Sequence, residues 1–109
     1  RSQFPSVPLT DSENRFFYQL AVELYRESKN QKLPSYLRDQ LLRASSSVAL
    51  NLSEGSVRTT RKERTRFYTI AFASLREVQA IIDLEDSLEA LRQPADKLGA
   101  YLYRLLQAQ

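Results

Sequence analysis

LRASSSVALNLSEGSVRTTRKERTRFYTIAFASLRE, residues 42–77, reads as the end of one helix, a glycine stop, a strongly basic turn and the start of a longer helix. Upstream, Pro34 and Ser35 open the helix that enters this stretch. Its Leu37, Leu41, Ala44, Val48 and Leu52 form an apolar seam, and Gly55 is expected to stop it. Thr60 and Glu63 have the spacing of a capping box at the head of the next helix. With no Gly or Pro between Thr60 and Pro94, that helix is expected to reach the Asp86–Leu91 region. Pro94 suits the first turn of a last helix, where Leu98, Tyr101, Leu102 and Leu105 share a side and Tyr103 points elsewhere. A first helix beginning near Thr10 or Asp11 carries Phe16, Phe17, Leu20, Ala21, Leu24 and Tyr25 at three- and four-residue spacing and ends in the polar linker SKNQK. The two prolines of RSQFPSVPLT suggest an extended N-terminal arm over residues 1–10. The expected fold is therefore all-α: an antiparallel up-down four-helix bundle over residues 11–109.

Composition narrows the chemistry. The chain has 109 residues, two Gly, four Pro and neither Cys nor His. Without Cys there is no disulfide framework or thiolate nucleophile, and without His the usual neutral-pH proton carrier and commonest metal ligand are missing. No apolar run approaches the roughly 18 residues of a membrane span. The expectation is a cytoplasmic protein that is not an enzyme and takes no cofactor, metal or membrane.

Charge is the strongest local signal. Residues 58–76 hold six basic groups against Glu63 alone, whereas residues 77–109 hold three basic and six acidic groups, so the whole-chain net charge of +3 conceals a marked asymmetry. Arg61, Lys62, Arg64 and Arg66 occupy the first turns of a helix, where the macrodipole favours negative charge. With Arg58 they form a candidate surface for the phosphates of RNA or DNA, with Tyr68 available for stacking or hydrogen bonding. The same charges also suit an acidic protein partner without nucleic acid.

Four polar residues, Arg43, Asn51, Glu54 and Glu77, have structural readings. Asn51 and Glu54 are expected to bond helix ends or the following turn, and Arg43 to pair with a carboxylate of the third helix. A carboxylate site built from Glu54, Glu77 and Asp83 is the competing idea, but a di-metal bundle normally uses Glu-x-x-His pairs. Ser45, Ser46 and Ser47 lack a base to activate a nucleophile, and small-residue helix packing accounts for them.

The third helix is apolar over about half its circumference, wider than the usual stripe of a surface helix. One side is expected to face the bundle while Tyr68 and Phe72 meet another subunit; the alternative is cover by the arm or neighbouring helices.

The run Arg43-Ala44, then Asn51-Leu52-Ser53-Glu54-Gly55, a basic turn, Arg66-Phe67, and Ala71 followed by Ser74-Leu75 and Glu77 resembles the four-helix-bundle proteins encoded in intervening sequences of 23S ribosomal RNA genes. Leu42, Ala49 and Ala73 stand where that family commonly has arginine, proline and glycine. The resemblance implies a ring-like homo-oligomer, a pentamer. It also extends to the accessory variability proteins of diversity-generating retroelements, basic partners of a reverse transcriptase and its nucleic acid.

Overall fold

A computed structural model describes residues 10–109; the arm expected over residues 1–10 lies outside them except for Thr10. Four helices follow in order: α1 (Asp11–Lys29), α2 (Ser35–Ser56), α3 (Arg61–Leu84) and α4 (Arg92–Gln107), with a short 3₁₀ segment, Asp86–Leu91, between the last two. The Thr10 hydroxyl accepts from the Glu13 N–H at 3.0 Å and so caps α1. Thr60 does the same for α3 through the Glu63 N–H at 3.2 Å. The Glu63 carboxylate meets the Thr60 hydroxyl at 3.4 Å rather than the backbone N–H of a complete capping box.

Side-chain bonds fix the directions of the helices. Between α2 and α3, Arg43 meets Glu77, Ser47 meets Ser74 and Gly55 meets Tyr68, so residue number falls along one helix as it rises along the other. On the α3–α4 side, Gln79 bonds Asp96 and Arg64 bonds Gln109; on the α1–α4 side, Asn14 bonds Tyr101 and Glu13 bonds Arg104. These pairs run antiparallel as well. Each helix packs on its chain neighbours, and α1 closes the bundle against α4. The expected seams fill the core: Leu37, Leu41, Ala44, Val48 and Leu52 of α2 and Leu98, Tyr101, Leu102 and Leu105 of α4 are all buried. Tyr103 points to solvent. The contacts of Glu13 with Arg104 and of Arg64 with Gln109 gather the head of α1, the tail of α4 and the α2–α3 turn at one end of the bundle.

Two boundaries differ from the sequence reading. The third helix does not reach residues 86–91: Glu85 is extended (φ −132°, ψ 105°), and its N–H bonds the Ile81 and Ile82 carbonyls. The chain then winds as 3₁₀ helix, which stacks residues three apart on one side and carries Leu88 and Leu91 into the core. Arg92 holds this corner, reaching Asp83 at 2.8 Å and Glu89 at 3.1 Å. The second is smaller: α2 ends at Ser56, one residue beyond the expected stop at Gly55. No glycine has positive φ. A Cβ at Gly55 would stand 2.7 Å from Cδ1 of Tyr68 and nearer still to Cε1. The glycine is needed because an aromatic ring lies against its Cα, not because the chain turns there.

Candidate nucleic-acid interface

The basic residues of the α2–α3 turn divide by environment. Arg58 lies half-buried just beyond α2, where it forms an ion pair with Glu54 and donates through Nε to the Glu54 carbonyl at 3.2 Å. Its guanidinium stands 5.1 Å from the centre of the Phe67 ring, and that of Arg66 stands 5.3 Å from the same ring. Both distances are within cation–π range. Arg64 turns inward, donating to Gln109 Oε1 at 2.9 Å and to the Arg58 carbonyl at 3.4 Å. Arg61 and Lys62 are exposed, and among the described residues neither forms an ion pair or a side-chain hydrogen bond.

The outward surface is thus Arg61, Lys62 and Arg66, with Arg58 held beside them on Phe67. Arg64 is a structural tie. Phe67, not Tyr68, is the aromatic platform for the cations. It could not be assigned from helical spacing, because Arg58 belongs to the turn rather than to α3.

Tyr68, expected at a subunit contact, is only 6% exposed and packs inside the bundle against Gly55. Phe72 is half-buried against the core. Burial raises the pKa of Tyr68, partly offset by the nearby Arg64 charge; burial, with Tyr68 and Glu13 nearby, raises that of Tyr101. Both remain neutral phenols at pH 7. The Tyr101 hydroxyl donates to Asn14 Oδ1.

The four structural polar residues also find partners, though not all as expected. Arg43 bonds Glu77 at 3.1 Å in a largely solvated pair, and Glu54 secures Arg58. Asn51 reaches neither a helix end nor the turn. Its Nδ2 donates to the Ser47 carbonyl at 2.9 Å and hydroxyl at 3.0 Å, and Ser74 of α3 donates to that same hydroxyl at 2.8 Å. Ser47 thereby joins α2 to α3, with Ser45 buried close by. Glu54, Glu77 and Asp83 pair with three different arginines and do not converge on one point. Among the described residues no group of three or more potential metal ligands gathers, and no helix is long and apolar enough to cross a membrane.

This geometry separates two residues that the sequence treats alike. Asn51→Ala removes two half-buried hydrogen bonds and is expected to cost about 1 kcal/mol or more. Glu77→Ala breaks an exposed ion pair and is expected to change stability by less than about 1 kcal/mol. Urea denaturation of the two variants should rank them in that order; equal losses would show that the Arg43–Glu77 pair bears more than its exposure implies.

A protein-family model described as 23S rRNA-intervening sequence protein matches residues 16–105. No curated protein and no solved structure matches the chain.

Proposed function

This chain belongs to the 23S rRNA-intervening sequence protein family, and we propose that it is a non-enzymatic, homo-oligomeric bundle that presents the α2–α3 turn to the phosphate backbone of RNA or DNA. The observation that carries this reading is the placement of Arg61 and Lys62. They sit exposed in the first turn of α3, where the helix dipole opposes them and no described side chain forms an ion pair with them. Phosphates are the complementary ligand for such a group, and Arg58 and Arg66 on Phe67 widen the patch. A nucleic-acid-handling protein such as a reverse transcriptase fits the same surface as a carrier of bound strand. The test is fluorescence anisotropy with mixed-sequence RNA and DNA across a salt series: log affinity should fall linearly with log salt, with little sequence preference. Absence of binding to either at low salt would overturn the proposal and transfer the charges to an acidic protein partner.

Assembly is supported by a different face from the one containing Tyr68. Tyr36 and Leu50 of α2, and Val57 just beyond its end, are exposed at 65–68%, and Tyr36, Arg43 and Leu50 recur every seven residues along one side of the helix. Ile70 and Leu84 are exposed on α3. Leu50→Glu is expected to lower the mass in solution while leaving helicity intact, because a charge there would be stranded in the subunit contact. Light scattering at micromolar concentration measures this; a wild-type monomer would refute the assembly, including the pentameric ring suggested by the family resemblance.

A further inference from the structure

At the same end of the bundle as the basic turn, a groove of about 320 Å³ opens between α1, the end of α2 and the inward side of α3 and α4. Tyr18, Tyr68 and Tyr101 line it together with Asn14, Arg15 and Ser53. Its polar atoms are only partly used. Asn14 accepts from Tyr101 through Oδ1, and among the described residues its Nδ2, the Tyr68 hydroxyl and the Ser53 hydroxyl have no hydrogen-bond partner. The groove therefore combines the exposed ring of Tyr18 with the mostly buried Tyr68 and Tyr101, the latter already stacked on Phe17, and a small set of donors and acceptors. Its volume lies near the lower end of small-molecule sites, about 300–1,000 Å³, which suits one planar ring system rather than an extended ligand.

We propose that this groove receives one unstacked nucleobase from a single strand whose phosphates lie on the adjacent basic turn. The proposal rests on the nucleic-acid reading above and specifies the form of strand bound. In a duplex the base faces are stacked and cannot enter, whereas an unpaired base can turn out and lie against aromatic side chains. The Asn14 amide and the Tyr68 and Ser53 hydroxyls would then meet the edge of the base. Arg15 adds a cation at the rim.

The test uses one labelled mixed-sequence strand, its duplex and the same strand carrying abasic sites, compared by anisotropy at one salt concentration. The intact strand should bind about tenfold tighter than either of the others. Ser53→Leu fills the groove from an exposed position, and Tyr18→Ala removes a wall at its rim; neither changes charge. Both should abolish the preference for the intact strand and leave helicity unchanged, with duplex binding retained. Equal affinity for the intact and abasic strands, or a full preference surviving in Ser53→Leu, would overturn the pocket while leaving the basic turn standing. Loss of binding to all three probes in the wild type would overturn both.

Discussion

Gly55→Leu is expected to destabilise the bundle by about 3 kcal/mol, and even Gly55→Ala by about 1 kcal/mol. The direction is the informative part. In a helix interior, Ala is favoured over Gly by about 1 kcal/mol, and Gly55 lies within α2 without positive φ. Helix propensity alone therefore predicts that Gly55→Ala stabilises. The structure predicts the reverse, because the new Cβ would press into the Tyr68 ring at Cδ1 and Cε1. In a Tyr68→Ala background the obstacle is gone, and Gly55→Ala should become stabilising. Thermal melting of the four combinations makes a double-mutant cycle, with each 1 kcal/mol worth roughly 4–8 °C in a domain near this size. If Gly55→Ala raised the melting temperature of the otherwise wild-type protein, the contact with Tyr68 would not be the reason for the glycine.

Changing Arg61, Lys62 and Arg66 together to Gln is expected to weaken binding to mixed-sequence nucleic acid on the order of a hundredfold at low salt. Arg64 is left in place because its bonds to Gln109 and the Arg58 carbonyl hold the end of the bundle together. The salt slope should also become shallower by about two to three, since each lost phosphate contact removes about 0.7 for a single strand and 0.9 for duplex DNA. Stability should hold or rise slightly, because Arg61 and Lys62 no longer oppose the dipole of α3. Circular dichroism and light scattering check that helicity and mass in solution match those of the wild type. Unchanged affinity and slope in this variant would place the phosphate contacts elsewhere.

The parts of the fold that follow from regular periodicity were legible before the structure. Leu37, Leu41, Ala44, Val48 and Leu52 recur on one side of a helix, and all five are buried together. Thr60 and Glu63 marked the head of α3 because caps are local chemistry, and the start of α1 was placed near Thr10 or Asp11, where Thr10 proves to be the cap. The break at Glu85 carried no Gly or Pro. Its available signal was the three-residue spacing of Leu88 and Leu91, which suits a 3₁₀ turn but fits an α-helix nearly as well. Gly55 located the end of α2 to within a residue but not its own role, because a glycine near a helix end has two physical uses, a left-handed turn and close approach. Only the position of Tyr68, thirteen residues on and across the helix pair, distinguishes them. At the site, the sequence located the basic turn but could not sort its cations. Arg64 turns inward and Arg61 outward because of partners at Gln109 and the absence of a described one, both tertiary facts.

The meeting of the head of α1 and the tail of α4 beside the α2–α3 turn determines where a reporter can be attached. A dye attached at Thr10 or Gln109 would stand beside the basic surface and the groove, obstructing the strand or supplying charge of its own. The linker at residues 30–34, at the far end of the bundle, is the position from which a label can report binding without taking part in it.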